Sequence, residues 1–166
     1  MFLEAVSGGS PCPITGAGFG LTFGGTNTNS TCATDISTGT GTVTKEGTGT
    51  WGLWGLSTYT GLTTISAGTL KILKAGDGTN TPLGTVAAGT VVSSGAALDL
   101  NGFDLATAEA LSLIGTGISS GGALLNSSAT SATYSGLITL TGATSIIATS
   151  GNIVISNEGT ITGAGF

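Results

Sequence analysis

Along this chain, apolar residues alternate with polar ones for a few positions and then give way to a cluster of Gly, Ser or Asn. Alternation of this kind marks a strand with one buried face. It predicts short strands at Leu21–Phe23, Gly41–Thr44, Leu62–Ser66, Thr69–Leu73, Thr90–Ser93, Ala97–Leu100, Ala110–Ile114, Ala123–Asn126, Leu137–Thr141, Ser145–Ala148 and Asn152–Ser156. Between them stand Ser94-Gly95, Asn101-Gly102, Gly115-Thr116-Gly117, Gly121-Gly122, Thr141-Gly142 and Ser150-Gly151. These residues reach the positive φ angles that tight corners need. One tract, Leu105–Leu111, has helical composition, and a single helical turn or a loop fits it.

Many short strands with regular turns fit either a sandwich or barrel, or a solenoid. The strands are very short, the turn residues vary little, and the core candidates are small or β-branched with few aromatics. All three features favour an all-β solenoid, in which each coil buries its inward side chains against the coils on either side. Repeat logic sets about six or seven coils of roughly 20–25 residues. Strands stacked about 4.8 Å apart make a rod roughly 30 Å long. The segment Ile14-Thr15-Gly16-Ala17-Gly18-Phe19 recurs identically as Ile161-Thr162-Gly163-Ala164-Gly165-Phe166, which reads as an array interrupted within a unit. Residues 1–166 are expected to form one solenoid segment of a longer repeat array or filament, whose ends stack on further coils or on another subunit.

Composition sharpens this picture. Charged residues make up 7% of the chain, against roughly 25% in a typical domain. Such a chain could be disordered, but 39% hydrophobic residues supply surface to bury. No apolar run approaches the roughly 20 residues of a membrane helix. The net charge is −5, and the cations are Lys45, Lys71 and Lys74. Three lysines cannot neutralise a phosphate backbone, so nucleic acid is excluded as a partner, and an anionic membrane surface is disfavoured.

Cys12 and Cys32 are the only cysteines. A metal or redox pair needs further ligands or closer spacing, and the chain has no His and no CxxC. A disulfide closing one loop is the expected reading, adding about 3 kcal/mol. It would set residues 1–38 apart from a repeat-like core at 39–166 and place the protein in an oxidising compartment. The first residues lack the basic start and apolar run of a signal peptide, so either a signal was removed or the chain is a fragment.

Gly47-Thr48-Gly49-Thr50-Trp51-Gly52-Leu53-Trp54-Gly55-Leu56-Ser57-Thr58-Tyr59-Thr60-Gly61-Leu62-Thr63-Thr64-Ile65-Ser66-Ala67-Gly68-Thr69-Leu70 resembles the autotransporter-associated β-strand repeat. Thr58, Tyr59, Gly61, Thr63, Ala67, Gly68 and Leu70 match its pattern. Ser57 stands where the repeat usually has Asn, and Trp54 where it usually has a small or apolar residue. The resemblance implies a right-handed parallel β-helix, exported and displayed at a bacterial surface as passenger material. It implies no ligand.

Candidate chemistry is sparse. Asp99 and Asp104 are the nearest carboxylate pair for glycoside hydrolysis, yet they bracket a turn and have no Lys or Arg close in sequence. Capping that turn is their expected role. A Ser-His-Asp triad is impossible without His. Asp77 and Asn80 lie in a glycine-containing loop that lacks the repeated unit of calcium-binding solenoids, so a solvated loop is expected. Trp51, Trp54 and Tyr59 form the main aromatic cluster. Trp51 and Trp54 fall on opposite faces of a strand, so one enters the core and the other is free to stack on a sugar or a partner. Thr38, Thr40, Thr42 and Thr44, extended by Thr48 and Thr50, suggest an ice-binding ladder, but do not recur at one fixed coil position. The expectation is a structural, non-enzymatic, cofactor-free surface rod or adhesin spacer that associates end to end. A glycan- or ice-binding module is the alternative, ahead of a polysaccharide-active enzyme.

Overall fold

The computed structural model describes residues 2–3, 13–25 and 27–165. The chain winds through about seven coils, each crossing three faces of a solenoid. The first face stacks eight parallel strands: Phe2–Leu3, Leu21–Phe23, Val43–Lys45, Thr63–Ile65, Thr90–Val92, Leu111–Gly115, Ile138–Thr144 and Thr162–Gly163. The second stacks Ser30–Cys32, Thr50–Leu53, Gly68–Ile72, Ala96–Asp99, Leu124–Asn126 and Ile146–Ala148, also in parallel. The third face is broken. Ile14–Thr15 pairs with Ile36–Ser37 at one end, and Ala132–Tyr134 with Ile153–Ile155 at the other. Single bonds continue it between them, such as Thr58 N–H to Ile36 O and Thr85 N–H to Tyr59 O. Every strand therefore pairs with its counterpart one coil away, as the solenoid requires and a sandwich does not.

The core is a set of side-chain columns running along the rod. On the first face, register aligns Leu21, Val43, Thr63, Thr90, Leu111 and Ile138, all buried. On the second, Trp51, Leu70, Leu98 and Leu124 form a buried column continued by Ile146. Phe23 and Trp51 meet across the interior with ring centroids 4.9 Å apart. At the last coil, Leu140, Ile146, Ile153 and Ile155 are only partly covered.

Each strand predicted from the alternation has a counterpart here. Others went unforeseen, including Ser30–Cys32, Thr50–Leu53 and Ala132–Tyr134, where Gly, Thr and Ser blur the apolar rhythm. Leu105–Leu111 is a loop, not a helical turn: it leads into the strand at Leu111, with Leu105, Thr107, Glu109 and Leu111 buried and the three intervening alanines exposed. Pairing with neighbouring coils overrides the helical preference of Ala and Glu. The repeated hexapeptide also behaves unexpectedly. Its first copy contributes Ile14–Thr15 to the third face, whereas its second contributes Thr162–Gly163 to the first face. It is not the unit of the coil.

Lys45 breaks the apolar pattern. It faces inward, 1% exposed, in register with Phe23 on one side and Ile65 on the other. Its ammonium donates to three carbonyls: Glu46 O at 2.6 Å, Gly47 O at 2.7 Å and Ala67 O at 3.1 Å. All three donors are satisfied, which is what allows a buried charge without a carboxylate partner. Burial lowers its pKa to about 8, so it stays largely charged at neutral pH.

Gly68 closes this corner. Its φ is +67°, and a Cβ there would strike the Gly47 and Gly49 carbonyls and lie 2.7 Å from Lys45 Nζ. Gly68→Ala is expected to destabilise the rod by about 2–4 kcal/mol. Urea denaturation followed by circular dichroism checks this, and a loss below 0.5 kcal/mol, roughly the size of an ordinary surface change, would contradict it.

Candidate functional site

Most acidic and amide side chains serve the corners, where the chain bends and the backbone ladder lapses. Asn27 Oδ1 accepts Thr48 N–H at 2.8 Å, Asn29 Oδ1 accepts Thr50 N–H at 2.7 Å, and Asp35 Oδ1 accepts Leu56 N–H at 2.7 Å. Each bond joins one coil to the next. Asn126 is fully buried and uses both ends of its amide. Its Oδ1 accepts Gly102 N–H and Ser128 N–H, and its Nδ2 donates to Thr130 O and Asn152 O.

Asp99 and Asp104 are used in the same way. Asp99 Oδ1 accepts Asn101 N–H at 2.9 Å and Ser127 N–H at 3.0 Å, while Oδ2 accepts the Ser127 hydroxyl at 2.6 Å. Asp104 Oδ1 accepts Thr133 N–H at 2.7 Å. The absence of a nearby cation, read from the sequence, is corrected by the fold. Lys71, one coil away, lies 3.3 Å from Asp99. Asp77 Oδ1 accepts Thr79 N–H and Asn80 N–H, which holds its carboxyl below the usual range. That bonding makes Asp77–Asn80 a self-closed turn on the surface.

Glu109 is different, because its buried carboxylate has only hydroxyl partners. Thr90 Oγ1 donates to Oε1 at 2.6 Å and Thr81 Oγ1 to Oε2 at 3.3 Å. No cation pairs with it among the described residues. Two phenols share the interior: Tyr134 O–H donates to Glu109 O at 2.9 Å, and Tyr59 is bonded to Thr63 at 2.6 Å. Burial, reinforced by Glu109, pushes both phenols above their ordinary range. Burial also raises Glu109 from 4.5 to about 7. The alternation of Leu105–Leu111 was the available signal that Glu109 points inward.

The aromatic cluster divides. Trp51 and Tyr59 are core residues and are closed to any ligand. Trp54 is 53% exposed, at the corner after the second face. Its backbone N–H donates to Cys32 O at 3.0 Å, which pins the main chain to the preceding coil. At Gly55 the backbone passes so close to that coil that a Cβ would strike Thr34 O and lie 2.6 Å from Asp35 Cα. Trp54, Asp35, Thr34, Pro13 and Lys74 line a shallow groove of about 270 Å³. Cys32 is buried, its Sγ 3.7 Å from Thr34 O, and burial raises its thiol pKa. Cys12, its expected disulfide partner, lies outside the described residues.

Single threonines recur at one fixed position, although the Thr-x-Thr ladder does not. Thr22, Thr44, Thr64, Thr139 and Thr162 share the outward rank of the first face, with Val91 and Ser112 between. Coils vary from 20 residues (Val43 to Thr63) to 27 (Thr63 to Thr90), which hid this rank from any fixed sequence period. The run Thr38-x-Thr40-x-Thr42-x-Thr44 does not form it. That run bends at Gly39–Thr40 and buries Thr38.

Comparison with known proteins places these features. Residues 43–72 match the Passenger-associated-transport-repeat family. The match spans four strands, from Val43–Lys45 to Gly68–Ile72, and includes both Lys45 and Gly68. The chain is 37% identical over 127 residues to the Adhesin BmaC autotransporter of Brucella suis biovar 1 (strain 1330). That alignment covers 76% of this chain and 3% of the relative. No solved structure matches.

The buried carboxyl predicts the pH dependence of stability. Glu109 binds its proton more tightly folded than unfolded, so its contribution is fully present below pH 4.5 and is lost as pH rises to about 7. The loss is on the order of 3 kcal/mol. Glu109→Gln keeps the shape and the hydroxyl partners, and should remove this slope. Urea midpoints between pH 4.5 and 8 test it, and an unchanged slope in the variant would contradict the assignment.

Proposed function

We propose that this chain, which carries the autotransporter passenger repeat, is a structural element of a surface adhesin: a stiff, non-enzymatic rod that holds other parts of its protein away from a bacterial surface. The observation that carries this reading is the parallel ladder continued from coil to coil on the first face, with the repeat at 43–72 wound into it. The commitment of Asp99 and Asp104 to backbone N–H groups supports a role without catalysis. The relative's name, an adhesin and autotransporter, supports display at the cell surface.

The rod extends by stacking. The partly covered Leu140, Ile146, Ile153 and Ile155 continue the inner columns, and a further coil or the end of a second copy would cover them. Backbone groups on the last rung would gain partners in the same step. Ligand binding on the rod's surface is a second reading, favoured by the exposure of Trp54. The row of threonines supports an ice face less well. It is a single rank interrupted at Val91, and the rank beside it runs Gly20, Thr42, Leu62, Gly89, Ala110 and Leu137.

Fused between an export signal and an autotransporter barrel, the chain is expected to reach the outer surface as a unit resistant to added protease. Retention inside the cell, or rapid cleavage at the surface, would defeat the display reading. The purified chain is expected to associate as its concentration rises, and Ile153→Glu to suppress this. Sedimentation velocity measures both, and a monomer at every concentration would reject stacking.

A further inference from the structure

Trp54 is a large aromatic that the coil does not use. The buried columns are complete without it, and it stands where the repeat usually has a small or apolar residue. Its indole nevertheless sits on fixed backbone. The Trp54 backbone N–H is bonded to Cys32 O, the Leu56 backbone N–H to Asp35 Oδ1, and Gly55 is packed against the Thr34–Asp35 backbone. Little order is lost when a ligand meets such a surface.

The surrounding chemistry narrows the ligand. A flat indole face suits an apolar face of similar width. Asp35 spends Oδ1 on Leu56 and makes no bond through Oδ2 among the described residues, and Lys74 also lines the groove. An acceptor and a donor sharing a groove with a π-face match a pyranose, which carries an apolar C–H face and a rim of hydroxyls. The groove, at about 270 Å³, is just below the usual size of small-molecule sites, so it suits one ring. Lys74 also acts on the Asp77 carboxylate. Asp35 and Asp77 outnumber Lys74, which disfavours an anionic sugar.

We propose that the Trp54 groove binds a single neutral hexopyranose ring, stacked on the indole and hydrogen-bonded by Asp35 and Lys74. This deepens the adhesin reading and rests on it for its biological sense. One ring on an open groove binds weakly, in about the millimolar range. Repetition along a longer rod would raise the avidity.

Saturation-transfer NMR with methyl β-glucopyranoside and methyl β-galactopyranoside tests the site on the whole chain, with sodium glucuronate as the anionic control. At least one neutral glycoside should show saturable transfer. Trp54→Ala should weaken it by about tenfold or more, and Asp35→Asn, which keeps the acceptor for Leu56, by a few-fold. Glucuronate should bind more weakly than the neutral glycoside. Both variants should melt like the parent chain, because Trp54 lies outside the core. The proposal falls if neither glycoside shows transfer, if Trp54→Ala binds within about twofold of the parent, or if glucuronate binds as tightly. A negative result with unchanged melting and surface display removes the sugar site alone. A collapse of melting in Trp54→Ala would instead show the residue to be structural and would also overturn the site.

Discussion

Everything in this molecule depends on the hydrogen bonds that each coil makes to the next. A solenoid coil cannot bury its own inward face, and its strands have no partner within the same coil. The parallel ladders on the first and second faces supply both needs at once. They satisfy the backbone and bring side chains of like position into columns. Coil length is then free to vary, because an extra loop between faces leaves the register of the strands untouched. The 27-residue coil from Thr63 to Thr90 and the 20-residue coil before it share one continuous first face.

Corners are where this arrangement is weakest, because the backbone turns out of the ladder. Polar side chains do the joining there. Asn27, Asn29, Asp35, Asp99 and Asp104 accept amides from the following coil. Lys45 gathers three carbonyls, and Asn126 links three successive coils. A chain with so few charges has placed several of them where they close turns, which leaves little for solution chemistry. Glu109 is the exception: it is buried with hydroxyl partners alone, and it makes its region of the rod sensitive to pH.

The same economy shapes the surface. With Lys45 inside and Lys71 held by Asp99, the exterior offers mainly hydroxyls, small side chains and a few apolar residues. A smooth, weakly charged rod suits a spacer. Against that background Trp54 stands out, because its ring is large, exposed and held on rigid backbone.

The sequence by itself determined the fold class, the short strands with clear alternation, the turns between them and the kinship carried by residues 47–70. Alternation and glycine placement are local properties, and the ladder leaves them intact. It also determined that one of Trp51 and Trp54 would be buried and the other free. Only the tertiary structure decided which: Trp51 lies under Phe23, and Trp54 sits past the end of its strand. Only the tertiary structure chose a loop over a helical turn for Leu105–Leu111, brought Lys71 to Asp99, sent Lys45 inward and lined up the threonines of the first face. Each of these depends on which residue of the next coil lies alongside. Coils of unequal length make that register unreadable along the chain, and identical hexapeptides end on different faces for the same reason.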